Sequence, residues 1–503
     1  MAESEIELKL SLAETEVSRF RRDTALHRMK RARAVSRSLL AVYFDTPGLS
    51  LRAHKAALRI RQEGTDRIQT LKVSGKGAGL QHRTEYNAPT SAQEPELSLI
   101  DDPAMRQALV EMIGDEPLVP VFTTDVRRTL WLLDLPGGPV ELALDLGQIE
   151  SQGRVEPICE VELELKGGIP QDLLDVADDF GARFGMSVAI ESKAQRGYAL
   201  FQRTEPTVQK ANKLKLDPQQ PAWDAVTGII EEGTAQLLGN EAAVLAGTDI
   251  EGVHQARVAV RRLRAALSAF RDSIPDDLRK PLNKALRRHQ LALGPARDWD
   301  VFLTETLAPL ESEHRNKKSF KAFQARVQIA RKRAYKKAHK ALRSARYDQL
   351  KMALIRFPYQ PEPQQARHIS TGAVAKELLD QRLSAVLAAA GPDPKQLDDV
   401  ALHALRIDVK KLRYAIDFFV SLYDPQALKP WKGASKALQE CLGGLNDAVV
   451  HAALLDAMEA PDMPVPKSIR RAIENGNTAK IEAGKAEFDA RWAEFRALTP
   501  FWT

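Results

Sequence analysis

The chain has 503 residues, 44% of them hydrophobic and 28% charged, which suits two or more domains that each bury a core. Its two cysteines, Cys159 and Cys441, exclude a disulfide framework and a cysteine-based metal cluster, and the lack of a signal peptide or of any apolar run near the ~20 residues of a membrane span points to a cytoplasmic protein with no membrane partner. The net charge of +6 divides unevenly, −6 over residues 1–205 and +12 over residues 206–503, so the second half calls for an acidic partner: nucleic acid, an anionic surface or a phosphate polymer.

The first half alternates with the period of two that marks strands. Glu5-Ile6-Glu7-Leu8-Lys9-Leu10 places Glu5, Glu7 and Lys9 on one face and the apolar residues on the other. Leu58-Arg59-Ile60-Arg61 repeats the pattern with two arginines. Lys72 follows in Leu71-Lys72-Val73, and Arg83 alternates with Glu85. Glu141 and Asp145 share a face in Glu141-Leu142-Ala143-Leu144-Asp145, as do Glu160, Glu162 and Glu164 in Glu160-Val161-Glu162-Leu163-Glu164. Helical stretches near 13–33, 101–113 and 170–185 can cover the apolar faces. The glycine-rich Ser74–Gly79 reads first as a hairpin loop and second as a phosphate contact.

The polar residues on these strands are the informative ones. Like charges two residues apart on one face are costly unless opposite charges, a metal or a ligand lie between them. A sheet that closes can line a tunnel with them, carboxylates binding hard cations and arginine forks binding phosphate oxygens. There is no Ser/His/Asp signature and no G-x-x-x-x-G-K-[ST] loop, so no nucleophilic side chain is assigned.

Residues 204–222, with Pro206, Pro218 and Pro221 among polar neighbours, read as a linker. Beyond it the periodicity is helical, and one pattern occurs twice, 149 positions apart. His254-x-x-Arg257-x-x-x-Arg261-Arg262-Leu263-Arg264 is answered by His403-x-x-Arg406-x-x-x-Lys410-Lys411-Leu412-Arg413. The register persists through Phe270 and Phe419, Pro281 and Pro430, Arg287 and Lys436, and Asp298 and Asp447. This is an internal duplication, with halves expected at 223–365 and 366–500. On each helix the histidine and its cations share one arc, opposite an apolar face that includes Leu263, Phe270, Leu412 and Phe419. Like charges at one-turn spacing repel, so a duplicated row of them implies an anion bound across both halves. The two aspartates read as helix caps or salt-bridge partners of the rows. Residues 311–358 carry 15 Lys and Arg against three acids, a solvated helix pair or a further basic wall. Stacking on bases needs exposed aromatics, and aromatics are only 6% of the chain, which disfavours nucleic acid and favours polyphosphate.

Glu5-x-Glu7-x-Lys9, Tyr43-Phe44-Asp45-Thr46, Leu58-Arg59-Ile60-Arg61, Leu71-Lys72, Arg83-x-Glu85 and the late Glu160-x-Glu162-x-Glu164, in that order, resemble the CYTH family of triphosphate tunnel enzymes over residues 1–203. The duplicated region, 223–500, resembles the CHAD family. Together they are similar to the bacterial CYTH–CHAD inorganic triphosphatases. The resemblance implies an α+β multidomain chain: a closed eight-stranded antiparallel tunnel followed by an all-α bundle with an internal two-fold repeat. It implies hydrolysis of inorganic triphosphate with Mg2+ or Mn2+, and polyphosphate binding by the bundle, with association with polyphosphate granules an option.

Carried over by motif, Glu5, Glu7, Lys9, Arg59, Arg61 and Lys72 would be catalytic. Lys9, Arg59, Arg61, Lys72, Arg83, one of Arg127 and Arg128, Lys193 and Arg196 would bind substrate. Glu5, Glu7, Glu85, Glu141, Asp145 and two of Glu160, Glu162 and Glu164 would face the metal. Polyphosphate would lie on His254, Arg257, Arg261, Arg264, Arg287, His403, Arg406, Lys410, Arg413 and Lys436. A non-enzymatic polyphosphate binder, and a tunnel for thiamine triphosphate or a nucleoside triphosphate, are the rival expectations.

Overall fold

In the computed structural model, residues 3–74, 80–314, 317–460 and 463–502 are described, and the glycine-rich loop at 75–79 lies outside them. The chain divides into two compact units, residues 1–208 with 344–360, and residues 209–343 with 361–503. Residues 344–360, expected in the first helical half, therefore pack with the strands.

The first unit is built on an antiparallel sheet of β1 (Glu3–Ser11), β2 (Val35–Asp45), β3 (Ala56–Glu63), β4 (Asp66–Ser74), β5 (Leu80–Pro89), β6 (Val119–Leu135), β7 (Gly138–Ser151), β8 (Arg154–Leu165) and β9 (Ser187–Val188). The order is β5-β4-β3-β2-β6-β7-β8-β1-β9, and β1 pairs with β5 as well. The sheet thus has nine strands where eight were expected. The extra one is two residues long and adds to the end of β1 through Leu10 and Ser11.

The alternation sorts the side chains as anticipated. Leu8 and Leu10 on β1, Leu58 on β3 and Leu163 on β8 are at most 1% exposed. Leu58, Leu71 and Tyr86 cluster with Leu109 and Ile113 of α1 (Pro103–Ile113), whose Asp102 cap accepts from the amides of Ala104 and Met105. Helix α2 (Pro170–Phe184) covers β8 and β1, and its Phe180 and Phe184 meet Phe20 edge to face. Such burial, at ~25 cal/mol per Å2 of apolar surface, is what holds the charged residues to the opposite face.

Helix α3 (Lys193–Gln202) matters most for the site. Ser192 and Gln195 form a reciprocal capping box that fixes where the helix begins. Gly197 then lets it lie against Phe122; a Cβ there would come within 2.3 Å of the ring. Tyr198 and Phe122 join Tyr43, Val126, Ile149 and Ile158 in an apolar cluster.

The second unit is helical: α4 (Ala222–Gly239), α5 (Ile250–Ala269), α6 (Asp276–Val301), α7 (Lys318–Leu342), then α9 (Thr371–Ala390), α10 (Asp399–Phe418), α11 (Pro425–Cys441), α12 (Gly443–Met458) and α13 (Lys467–Arg496); α8 (Ala345–Arg356) belongs to the first unit. Helices α4, α5, α6 and α7 begin 149 residues before α9, α10, α11 and α13 respectively. The duplication therefore extends one helix upstream and one downstream of the motif that revealed it. At its start, Ala222 N donates to Ile369 O and Thr371 N donates to Gln220 O, a reciprocal pair between equivalent segments. The copies differ where α6 runs on unbroken and its counterpart stops at Cys441. There Gly484 of α13 approaches the Cys441 carbonyl so closely that a Cβ would sit 2.3 Å from its oxygen. Residues 209–216 of the linker are held to this unit, with Gln209 bonded through Asn240 and the Leu216 amide donating to Ser421 Oγ.

Candidate functional site

The ladders bring charged residues from distant strands side by side. Across β1, β8 and β7, Glu7 lies opposite Glu164 and Glu164 opposite Glu141; Lys9 lies opposite Glu162; Glu160 lies between Ser11 and Asp145. Arg128 on β6 is opposite Asp145. The result is one network. Lys9 Nζ is 3.2 Å from Glu7 and 3.4 Å from Glu162. Arg128 grips Asp145 through two bonds, at 2.7 and 2.6 Å, and reaches Glu162 at 2.5 Å. Lys193, delivered by α3, contacts Asp145 at 2.6 Å, Glu162 at 2.9 Å and also Glu160. One turn on, Arg196 bonds Glu156 at 2.6 Å and Glu160 at 3.2 Å.

Burial alone would push these carboxyls up. For Glu162 it is outweighed by Lys193, Lys9 and Arg128, which hold the carboxyl well below its usual value; Asp145 is lowered in the same way by Lys193 and Arg128. Burial disfavours the charged forms of Arg128 and Lys193 as well, yet Asp145 and Glu162 win and raise both. These groups stay ionised through the neutral range.

A second group lies on β3 and β4. Arg59 donates to Tyr43 Oη at 3.1 Å, and Lys72 forms an ion pair with Glu85. Arg61 is lowered to about 10 by burial and by the nearby charges of Arg59 and Arg128. Its Nε finds no hydrogen-bond partner among the described residues, and neither does that of Arg59. Guanidinium groups with donors to spare can pair with an anion.

The residues that the sequence left ambiguous differ in their surroundings. Arg127 is exposed and Arg128 enters the network, because neighbours on a strand point oppositely. Glu160 and Glu162 join Asp145, with one oxygen from each within 4.8 Å of the others, while Glu164 pairs with Lys166. Hard oxygen donors at this spacing fit a divalent cation, with Asp145, Glu160 and Glu162 as the residues to hold it and the Lys193 ammonium now among them. Glu141 lies one ladder step away, opposite Glu164. Glu5 and Arg83 face each other in the β1–β5 register, but their side chains lie outside the described residues. Glu156, which orients Arg196, and Arg37, opposite Arg128 and paired with Glu63, were not picked out from the sequence. Arg37 stands in a strand with no charged alternation around it, so no pattern marks it.

In the helical unit the two basic rows face each other. Lys410 is lowered to about 8 by burial, then by Arg406 and Arg261, with Asp447 opposing and Arg257 adding to the effect. His254 is likewise lowered, by burial and then by Arg297, against Glu251. Asp298 acts on Arg257 as Asp447 acts on Arg406, which makes both aspartates electrostatic partners of the rows; neither caps a helix. Arg264 bonds Gln290 at 2.5 Å and the equivalent Arg413 bonds Gln439 at 2.9 Å, tying each row to its next helix. His403 and Arg287 are exposed, and so is Lys436, which pairs with Glu440 on its own helix. Arg297, beside His254, was missed for want of a periodic signal.

Comparison with known proteins agrees with both halves. The CYTH domain family matches residues 3–198 and the CHAD domain family residues 228–456. The chain is 37% identical over 161 residues to the inorganic triphosphatase of Haemophilus influenzae, a match that spans 31% of this chain and less than half, 44%, of that protein. An uncharacterized protein of Mycobacterium tuberculosis is 27% identical over 442 residues, 82% of this chain and 81% of its own length. The crystal structure of the CHAD domain from the plant Ricinus communis superposes with a TM-score of 0.51 at 29% identity, covering 58% of this chain and 98% of that one. No helix among the described residues is long and apolar enough to cross a membrane. Residues 3–198 are thus a CYTH domain and residues 228–456 a CHAD domain, and the chain is a two-domain member of these families.

Proposed function

We propose that the strand unit is an inorganic triphosphatase, cleaving tripolyphosphate to pyrophosphate and phosphate with Mg2+ or Mn2+, and that the helical unit binds inorganic polyphosphate. The observation that carries this reading is the network of Lys9, Arg128, Lys193 and Arg196 with Glu7, Asp145, Glu160 and Glu162 on one sheet face. The pairing of β1 with both β8 and β5 supports a closed eight-stranded tunnel with that face inside and β9 as an appendage. The Haemophilus relative, named an inorganic triphosphatase, supports the reaction class over the CYTH region.

The division of labour follows from the charges. Arg59, Arg61 and Lys72 supply cations to a polyanion whose transition state needs charge stabilisation more than covalent chemistry. The Nε groups of Arg59 and Arg61 have no hydrogen-bond partner among the described residues, so binding an anion there would satisfy them. Glu162 and Asp145, ionised well below neutral pH, suit holding a cation and not giving up a proton. A bound divalent ion would supply charge neutralisation on the phosphates and a more acidic water. Lys193 pairs with the same three carboxylates, Asp145, Glu160 and Glu162, that would hold such an ion.

On the helical unit, Lys410 is lowered by burial and then by Arg406 of its own row and Arg261 of the other, and this closeness of the rows supports a single groove spanned by one polymer. Repulsion stored there is relieved by an anion contacting both rows. Phosphate release from tripolyphosphate, with and without divalent metal, tests the first half of the reading. Titration of labelled polyphosphate against wild type and Arg261→Glu/Lys410→Glu tests the second.

A further inference from the structure

The two helical halves are not equivalent at one place. A cavity of about 260 Å3 opens beside Ser268, lined by Arg261 and Arg264 of α5, Arg382 of α9, and Lys411 and Tyr414 of α10. Its floor is formed by small and apolar side chains, Ala265, Ala269 and Phe418 among them, and no carboxylate lines it among the described residues. Arg264 is held by neutral acceptors, Asn283 at 3.0 Å and Gln290 at 2.5 Å. Arg261 Nε is buried with no partner among the described residues. Arg382 leans on Ser268 Oγ at 3.4 Å. Lys411 has a partner of its own, Asp408, at 2.7 Å.

The corresponding place in the other half is furnished differently. Ser268 is answered 149 residues on by Asp417, which lies within electrostatic reach of Arg413, the counterpart of Arg264, of Arg262, the counterpart of Lys411, and of Lys432. There the fold provides its own anion. Arg382 is answered by Gly233, where a Cβ would meet Leu263 Cδ2 at 2.7 Å, so that space is filled by leucine. One half therefore has a carboxylate, Asp417, with Lys432 beside it; the other has Arg382 and no carboxylate, with the neutral Asn283 where the first has Lys432. Burial lowers Arg382, with Asp408 opposing and Arg271 adding, and burial lowers Arg264, with Arg287 adding. In both, burial is the first cause and a neighbouring arginine adds to it.

We propose that the cavity beside Ser268 is a separate site for a compact phosphoryl group, which takes the position that Asp417 occupies in the other half. The volume suits one or two phosphoryl groups and not a long chain. The shared chemistry is a terminal phosphate dianion, whether on a bare inorganic anion or on a monoester whose organic part rests on the apolar floor. The proposal touches the polyphosphate groove through Arg261 and Arg264 but does not require a polymer to bind there.

The test is calorimetric titration of the full chain with inorganic pyrophosphate and, separately, with phenyl phosphate, in wild type, Ser268→Asp and Arg382→Gln. Ser268→Asp installs the carboxylate that the other half carries, so the variant is built to fold, and thermal melting verifies that it does. Each variant is expected to bind one ligand fewer per chain, or to bind it at least tenfold more weakly, while affinity for long-chain polyphosphate changes less than twofold. Loss confined to pyrophosphate identifies a bare inorganic anion as the occupant, and loss confined to phenyl phosphate identifies a monoester. Unchanged number and affinity for both ligands in both variants would overturn the proposal. Failure of wild type to bind long polyphosphate would overturn the groove reading and leave the cavity result standing.

Discussion

Phe270 and Phe419, equivalent residues 149 positions apart, meet with their ring centroids 5.9 Å apart and their planes tilted by 54°. Each ends the helix that carries a basic row, and each is at most 1% exposed. The contact of a residue with its own counterpart places it near the axis that relates the two halves, and it sets how far apart the rows lie. Phe→Ala in a core costs about 3–5 kcal/mol. Residues in contact are coupled, so the double variant should depart from additivity by at least about 0.5 kcal/mol. Denaturant unfolding of Phe270→Ala, Phe419→Ala and the pair checks this; strict additivity would mean the rings do not support each other.

Lys410 gives the groove a pH response. Burial, Arg406 and Arg261 lower it to about 8, so in the free protein its charge is present below that pH and is lost as pH rises through it. A bound polyanion favours the charged form. Polyphosphate affinity should therefore be highest below pH 8 and fall by up to tenfold per unit above it. Lys410→Arg should keep its affinity at pH 9, since a guanidinium stays charged there. Titrations at pH 7 and 9 decide; a wild-type affinity independent of pH over that interval contradicts the assignment.

Arg61 is expected to trade stability for function. Burial and the charges of Arg59 and Arg128 make its cation costly in the free protein. Arg61→Met keeps the aliphatic packing and removes the repulsion, so the melting temperature should stay the same or rise. KM for tripolyphosphate should increase at least tenfold. A large loss of stability would instead mark Arg61 as a structural member of the network.

Helix α8 offers a test of where a stretch of chain belongs. Leu354 is fully buried, and Leu→Ala at such a site costs about 2–5 kcal/mol. Arg356 bridges Asp175 at 2.6 Å and Asp178 at 2.5 Å on α2, but those partners are 66% and 47% exposed. Exposed pairs are worth about 0–1 kcal/mol. Leu354→Ala should therefore destabilise the strand unit far more than Arg356→Ala, as read by hydrogen exchange of β1 and β8.

The sheet face was legible because alternation with a period of two fixes parity, and a charge two residues from a like charge cannot be ignored. Alternation put Glu5, Glu7 and Lys9 on one face of a strand and Glu160, Glu162 and Glu164 on one face of another, and the family resemblance put both sets in one site. Parity could not choose between Arg127 and Arg128, since that depends on the β2–β6–β7 register, which Asp145 and Arg128 share. Nor could it foresee β9, too short to show a pattern. The duplication was readable where the histidine rows preserve it. It was not picked out at α4 with α9, where the side chains have diverged, nor at α7 with α13, where Lys318-Ser319 and Lys467-Ser468 keep the register but little beyond the first turn does. Residues 311–358 looked uniformly basic, yet Arg331 pairs with Asp300 while Arg356 pairs with α2. Charge composition does not reveal which unit a helix packs on.

The carboxylates and cations joined through Glu162 are proposed to form a metal-dependent triphosphatase site. The direct measurement is phosphate release from tripolyphosphate, ATP and thiamine triphosphate by wild type and Glu7→Gln, in Mg2+, in Mn2+ and in chelator, with melting curves confirming the fold. The expected result is rapid release from tripolyphosphate that needs metal, slower release from the two organic triphosphates, and a fall of at least a hundredfold in Glu7→Gln. Release that persists in chelator, or near-full turnover by Glu7→Gln at saturating metal, would contradict it.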